Sequence, residues 1–140
     1  MHIGKHLSIS VDIRATCDDC DADEYVAQWP IMLDDPVAEE HIHLTVGQAR
    51  DLLRYLGQIG VGSSGVTEWE TQGGPANFDC QTLFVENGRV YLDEAGYQLA
   101  LGTIAEALQF AGYIRGALDW LKRHPNCWAL RNAANRRRCA

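Results

Sequence analysis

The chain has 140 residues, of which 46% are hydrophobic and 22% are charged, and its formal net charge is −7 at pH 7. This composition is typical of a folded globular domain and excludes an intrinsically disordered chain. Its apolar runs are too short for a transmembrane helix, and its first residues lack the apolar stretch of a signal peptide, so we expect a cytoplasmic protein.

The charge is distributed unevenly along the chain. Residues 1–40 carry a net charge of −8, residues 41–120 carry −5 and residues 121–140 carry +6. We therefore predict one domain over residues 1–125 and a basic tail over residues 126–140. The acidic body disfavours direct nucleic-acid binding. We expect the tail to dock onto the body's own carboxylates or onto those of a second copy, which would form a homodimer.

Three strands are predicted in the first third of the chain. The first, near residues 6–14, has one buried face formed by alternate apolar residues, Leu7, Ile9, Val11 and Ile13. A second alternating run covers residues 25–33, and Pro30 within it indicates an edge strand or a bulged strand because proline cannot donate to a ladder. Residues 34–36 predict a turn, and residues 40–44 predict the third strand.

A helix and a long loop are predicted next. Thr45 and Gln48 have the spacing of a capping box, so the helix begins there, and Gly57 is expected to end it. Its buried face is predicted to contain Leu52, Leu53 and Leu56. Residues 58–77 contain five glycines and two serines, which predicts a loop with Trp69 as its anchor.

The second half of the chain predicts a hairpin followed by helix. Asn87-Gly88 is the preferred pair for a two-residue turn, which places a hairpin over residues 78–92. Helix is predicted from Asp93 onward, with Thr103 and Glu106 as a second capping box. Its apolar stripe is Ile104, Leu108, Ala111, Leu118 and Leu121. Together these elements predict the α+β class, with an antiparallel sheet of about five strands and two or three helices packed on one face.

One pattern is typical of a metal site. Cys17 and Cys20 have the spacing that brings two thiolates onto one ion, and His41 and His43 on a strand would point the same way. In the predicted meander, however, roughly 20 Å of strand separates the two pairs. We therefore expect no shared metal and no cofactor.

Cys80 is the remaining candidate for covalent chemistry. Beside Asp79, and with His41 or His43, it would supply the thiol, carboxylate and imidazole of a thiol enzyme. A small metal- or thiol-dependent enzyme built on Cys17, Cys20, His41, His43 or Cys80 is therefore one alternative function. A nucleic-acid-associated subunit that binds through the basic tail is another.

The charge pattern favours a binding protein over an enzyme. Asp18, Asp19, Asp21 and Asp23 form an acidic loop that would steer the protein toward a basic partner, and Trp69 would supply an aromatic anchor. We expect a non-enzymatic inhibitor, such as an immunity protein that neutralises a toxin or a phage-type antagonist of host defence. Its expected partner is a basic protein or a nucleic-acid-handling complex, and no membrane is expected.

Overall fold

The computed structural model describes residues 2–3, 7–11, 29–35, 39–62, 65–73 and 80–123. The elements in these residues are β1 (His2–Ile3), β2 (Leu7–Val11), β3 (Ile31–Asp35), β4 (Glu40–Leu44), α1 (Val46–Val61), β5 (Glu68–Glu70), β6 (Thr82–Glu86), β7 (Arg89–Glu94), β8 (Tyr97–Thr103) and α2 (Ile104–Arg123). The described strands form two antiparallel four-stranded sheets, β1-β2-β3-β4 and β5-β6-β7-β8. The α+β class and the antiparallel pairing are therefore confirmed, whereas the single five-stranded sheet is wrong. The predicted domain boundary at residue 125 and the basic tail lie outside the described residues.

The third strand begins directly after a proline. Pro30 has no N–H to donate, so the ladder starts at Ile31, which lies opposite Leu44 of β4. The predicted edge position is wrong, because β3 pairs with both β2 and β4 and the proline lies just before the ladder. Residues 25–28 of the predicted second strand lie outside the described residues. The alternation predicted for residues 25–33 is confirmed at Ile31 and Leu33, which are fully buried, and the predicted third strand is confirmed as β4, where Ile42 and Leu44 are also fully buried.

The turn predicted at residues 34–36 is wrong in its first two positions. Asp34 and Asp35 continue β3, opposite His41 and Glu40 of β4. The cross-strand ladder extends this strand beyond the point where polar residues suggest a turn. The first strand was also predicted to have a buried face. The side chains of that face lie outside the described part of the structure, namely Leu7, Ile9, Val11 and Ile13.

Helix α1 begins as predicted but ends later. The Thr45 hydroxyl accepts a hydrogen bond from the Gln48 N–H, and the Gln48 side-chain oxygen accepts one from the Thr45 N–H, both at 3.0 Å. The predicted end at Gly57 is wrong, because the helix continues to Val61 and Gly62 adopts the left-handed conformation with a φ of 72°. A glycine inside a helix weakens it without ending it, whereas the left-handed residue at Gly62 turns the chain away.

The glycine-rich stretch is shorter as a loop than predicted. Residues 58–61 belong to α1, and Glu68–Glu70 forms β5, which pairs with β6. Residues 74–79 lie outside the described part of the chain. The predicted loop over residues 58–77 is therefore wrong at residues 58–61 and at residues 68–70. Pairing with a distant strand orders residues 68–70, although they have little local signal for a strand.

The second sheet contains the predicted hairpin and one that was missed. Asn87 and Gly88 form the turn between β6 and β7 with φ angles of 53° and 76°, as two-residue hairpin turns require. The helix predicted from Asp93 is wrong. The strand continues to Glu94, a second turn contains Gly96 at a φ of 94°, and β8 follows.

Helix α2 starts at the predicted capping box. The Glu106 N–H donates to the Thr103 hydroxyl at 3.2 Å, and the Glu106 carboxylate accepts from the Thr103 N–H at 3.1 Å. The predicted apolar stripe is wrong in its first turn, because Ile104 and Leu108 are 36% and 39% exposed. The buried face is rotated away from them and consists of Ala107, Phe110, Ala111 and Ile114. Leu118 and Leu121 pack against the core at half burial, as does Leu53 of α1.

One hydrophobic core joins the described elements. It contains buried side chains from β3 and β4, from β6, β7 and β8, and from both helices. The two helices pack against each other, α2 also contacts strands of both sheets, and β4 passes close to β8. This arrangement buries one face of the second sheet and leaves its other face pointing away from the core.

Candidate functional site

The outer face of the second sheet carries an aromatic pair. Strand alternation directs Leu83, Val90 and Leu92 into the core, so Phe84 and Tyr91 point to the opposite side. The two residues lie directly opposite each other in the β6–β7 ladder. Their rings stack with centroids 5.3 Å apart and planes inclined by 23°. Both side chains are half-buried although neither belongs to the core.

Carboxylates surround this pair. Glu68 and Glu70 are exposed on β5, Glu86 is exposed at the end of β6, and Asp93 is half-buried on β7. Glu68 lies opposite Phe84, whereas Glu70 lies opposite Thr82, which in turn lies opposite Asp93. We call the surface of Glu68, Glu70, Phe84, Glu86, Arg89, Tyr91 and Asp93 the acidic aromatic face. Its four carboxylates and one guanidinium give it a net charge of −3.

An open cleft of about 270 Å³ lies at one corner of this face. It is lined by residues of β6 and by the chain where it enters β5, namely Thr67, Glu68, Phe84, Val85 and Glu86. The Val85 N–H donates to the Thr67 carbonyl at 2.9 Å, which fixes the entry of β5 beside β6. The cleft therefore has an aromatic ring and two carboxylates on a rigid ladder.

Cys80 lies beside the acidic aromatic face, immediately before the segment that leads into β6. Its exposed thiol donates a hydrogen bond to the Glu70 carboxylate at 3.0 Å. This hydrogen bond, with a smaller contribution from burial, raises the pKa of the Cys80 thiol above its ordinary value. A raised pKa suppresses the thiolate, which is the nucleophilic form, so this environment opposes the predicted use of Cys80 in catalysis.

Helix α1 covers the outer edge of β5 with polar side chains from one helical face. The Gln48 amide donates to the Gln72 carbonyl at 3.1 Å, the Gln72 N–H donates to Asp51 at 2.8 Å, and the Tyr55 hydroxyl donates to the Glu70 carbonyl at 2.7 Å. One of the bonded backbone groups, the Glu70 carbonyl, belongs to β5, and the other two belong to Gln72, which follows the strand. At Glu70 the helix therefore satisfies a carbonyl that an uncovered edge would offer to another chain.

Trp69, the predicted anchor, faces inward from β5. Its ring stacks on Tyr55 with centroids 6.4 Å apart, and its indole N–H donates to the Gln58 side chain at 2.8 Å. It is half-buried and packs against the core. Trp69 thus fastens β5 to α1, and its predicted contact with a partner stays a prediction.

The fully buried Gln81 precedes β6 and links α1, β7 and the residue that follows β5, behind the acidic aromatic face. Its side-chain oxygen accepts from the Thr71 hydroxyl at 2.8 Å, and its amide nitrogen donates to Gln48 at 3.2 Å and to Glu94 at 2.7 Å. Among the described residues, no buried side-chain nitrogen or oxygen is without a hydrogen-bond partner. The network therefore holds the strands of the face in a single register.

The predicted histidine pair is brought together on β4. His41 is exposed and lies opposite Asp34, His43 is half-buried and lies opposite Met32, and the two rings meet edge to face at 5.2 Å. Within the described part of the chain, no three His, Cys, Asp or Glu side chains are close enough to hold a metal ion. Cys17 and Cys20, the other half of the predicted site, lie outside the described residues.

The predicted acidic binding loop, Asp18, Asp19, Asp21 and Asp23, also lies outside the described residues. The acidic aromatic face was missed by the sequence reasoning. Its one local signal is the alternation around Asn87-Gly88, which places Phe84 and Tyr91 outward and opposite each other. The carboxylates of β5 have no such signal, because they pair with β6 residues that lie 12 and 16 positions further along the chain, Glu70 with Thr82 and Glu68 with Phe84.

No helix among the described residues has the length and apolar character needed to cross a membrane. Comparison of the chain with protein-family models, with curated proteins and with solved structures finds no match.

Proposed function

We propose that this protein is a non-enzymatic binding protein that docks on a basic macromolecular partner through the acidic aromatic face. The observation that carries the proposal is the stacked Phe84–Tyr91 pair, which points away from the core and is surrounded by carboxylates. The face is built on a sheet whose register the buried Gln81 network maintains, so its side chains need little reordering on binding.

The two kinds of side chain contribute differently to docking. The carboxylates attract a basic surface over distances of about 10 Å at moderate salt and so accelerate encounter. The aromatic pair supplies apolar area that becomes buried in the complex, and aromatic residues are enriched among those that dominate binding energy. A rim of charge around an aromatic centre is the usual arrangement of a transient protein interface.

The docking mode is compatible with inhibition. A partner that acts on nucleic acid presents a basic surface to its substrate, and a protein bound there blocks that surface. We therefore propose that the chain neutralises its partner, as an immunity protein or an antagonist of host defence does. This is a class-level assignment that rests on charge complementarity.

The first stage of the test identifies the partner. A photo-crosslinking amino acid is placed at Tyr91 on the acidic aromatic face and, as a control, at Arg115 on α2. The proposal expects cross-linking to a basic protein from position 91 and not from position 115. Cross-linking from 115 alone contradicts it.

The second stage measures association of the purified partner by stopped flow at several salt concentrations. The variant Glu68→Lys/Glu86→Lys/Asp93→Lys should slow association at least about tenfold at low salt and should weaken its salt dependence. Asp119→Lys on α2 is the control with a reversed charge on another element. If the triple variant associates as fast as the unmodified protein, the acidic aromatic face is not the docking surface.

The same measurement distinguishes the two acidic surfaces of the chain. Reversal of Asp18, Asp19, Asp21 and Asp23 to lysine tests the loop predicted from the sequence. If this variant loses the salt-dependent association and the triple variant of the sheet does not, docking takes place at the loop and the proposal for the sheet is wrong.

A further inference from the structure

The cleft at the corner of the acidic aromatic face has the layout of a site for one cationic side chain. Phe84 and Glu86 are two residues apart on β6, so they share a face at a spacing of roughly 7 Å. Glu68 lies directly across the ladder from Phe84. The ring therefore has one carboxylate beside it along the strand and another beside it across the strand, and all three residues line the cleft.

The two carboxylates are available to a ligand. Among the described residues, neither Glu68 nor Glu86 forms a hydrogen bond or an ion pair within the chain. Arg89 lies opposite Glu86 in the ladder, and the described residues contain no ion pair between them. Two carboxylates border the cleft and only Glu86 has a guanidinium opposite it, so the net charge there is negative and favours a cation.

The groups that line the cleft favour a guanidinium over an ammonium. The cleft is open, with a volume of about 270 Å³, so a bound group would lie against its aromatic and acidic wall and would not be enclosed. A guanidinium is planar, stacks on an aromatic ring and offers five donors in a fork, whereas an ammonium is a compact and strongly hydrated point charge. A ring between two carboxylates therefore suits arginine better than lysine.

We propose that this cleft binds an arginine side chain of the basic partner, with the guanidinium stacked on Phe84 and donating hydrogen bonds to Glu68 and Glu86. The inference rests on the proposed function, because it names the group that the acidic aromatic face recognises. Tyr91 supports the site from the other side of the aromatic pair, since its ring stacks on Phe84.

The test uses small probes, so it does not require the partner. The ¹H–¹⁵N spectrum of the full chain is titrated with N-acetyl-arginine amide, N-acetyl-lysine amide and N-acetyl-citrulline amide. Citrulline has nearly the shape of arginine but no charge. We expect arginine to shift the amides of residues 67–68 and 84–86, lysine to bind several-fold more weakly and citrulline to leave these amides unchanged. Equal shifts with arginine and citrulline, or arginine shifts confined to other residues, would overturn the proposal.

Matched variants assign the binding to the cleft. Glu68→Gln/Glu86→Gln keeps size and removes both charges, so it should abolish the arginine shifts. Phe84→Leu should weaken arginine binding and reduce the preference over lysine, because it removes the stacking surface. Asp119→Asn removes one charge from α2 and should leave the titration unchanged. Retention of full arginine binding in the double glutamine variant contradicts the site even if Phe84→Leu fails to fold.

The outcomes separate this inference from the proposed function. If the arginine probe does not bind but charge reversal of the face still slows association with the partner, the face is a docking surface without an arginine site. If arginine binds in the cleft but charge reversal leaves association unchanged, the site exists and the proposed docking mode is wrong.

Discussion

At the scale of single residues, the most consequential side chain behind the acidic aromatic face is the fully buried Gln81. Its side chain forms hydrogen bonds with Thr71, Gln48 and Glu94, so one residue satisfies polar groups from three parts of the chain. A buried polar group that loses its partner costs about 1–3 kcal/mol. The stability of this region therefore depends on a polar network as well as on apolar packing.

Replacing Gln81 with leucine should lower the free energy of unfolding by on the order of 3 kcal/mol, because the buried Thr71 and Gln48 and the half-buried Glu94 each lose a partner. Urea unfolding followed by tryptophan fluorescence measures the change. Gln98→Leu is the control, since Gln98 is exposed on β8 and a surface change there should stay within about 0.5 kcal/mol. Equal effects of the two variants would show that the network contributes little.

The pH dependence of Cys80 alkylation provides a test of the electrostatics of the acidic aromatic face. Because the Glu70 hydrogen bond raises the thiol pKa, Cys80 forms less thiolate at a given pH than an ordinary cysteine, and the rise of its alkylation rate should occur at higher pH. Glu70→Ala should move this rise to lower pH and accelerate the reaction of Cys80 with iodoacetamide, followed by peptide mass spectrometry. Glu68→Ala removes a neighbouring carboxylate that does not bond the thiol and should change the rate less. A rate that is unchanged in Glu70→Ala is inconsistent with the hydrogen bond.

At the scale of elements, the two capping boxes and the turns decide where the helices and strands begin and end. Both boxes were predicted from spacing, since the bonds join residues only three apart. The end of α1 was predicted at the wrong glycine, because sequence alone does not distinguish a glycine within a helix from one in the left-handed conformation. The structure assigns the terminating role to Gly62.

Alanine substitutions at the two glycines should therefore change the free energy of unfolding in opposite directions. Gly57 lies inside α1 with open space around it, so Gly57→Ala should raise the free energy of unfolding by up to about 1 kcal/mol through helix propensity. Gly62 has a φ of 72°, so Gly62→Ala should lower it by about 1 kcal/mol, since a Cβ disfavours that conformation. Thermal and urea unfolding of both variants provide the measurement. A stabilised Gly62→Ala protein would place the end of the helix elsewhere.

At the scale of the whole molecule, neither sheet has a core of its own among the described residues. The single cluster includes Ile31 and Leu33 from the first sheet, Leu83 and Leu92 from the second, and Phe110 from α2. Elements that share one core unfold together in small domains. The acidic aromatic face is therefore stable only while the first sheet and the helices are also folded.

We accordingly expect one cooperative unfolding transition. Phe110→Ala should lower the free energy of unfolding by about 3–5 kcal/mol, because it removes a fully buried ring at the junction of the helices and sheets. Tryptophan fluorescence and far-UV circular dichroism should shift together to lower urea concentration. Separate midpoints for the two signals in the unmodified protein would mean that the sheets unfold independently.

The candidate site could be predicted only in part. The Asn87-Gly88 turn is a local signal, and together with period-two alternation it places Phe84 and Tyr91 side by side on the outward face. Because a helix was predicted from Asp93 onward, strand β8 was not predicted, although Leu99 and Leu101 alternate with exposed residues in it. A charged residue followed by a short polar stretch fits both a helix start and a strand end, so the local pattern was ambiguous.

By itself, the amino-acid sequence determined the antiparallel α+β class, the start of α1, the capping box at which α2 begins, β4 and the β6–β7 hairpin. Each of these depends on hydrogen bonds or alternation between residues a few positions apart. Only the tertiary structure decided the division into two sheets, the formation of strand β5 by residues 68–70 and the assembly of the acidic aromatic face. Those features depend on pairing between distant strands and on polar side chains of α1 that bond the edge of β5. Such contacts form between segments whose local patterns do not specify one another, so they are defined only once the whole core is assembled.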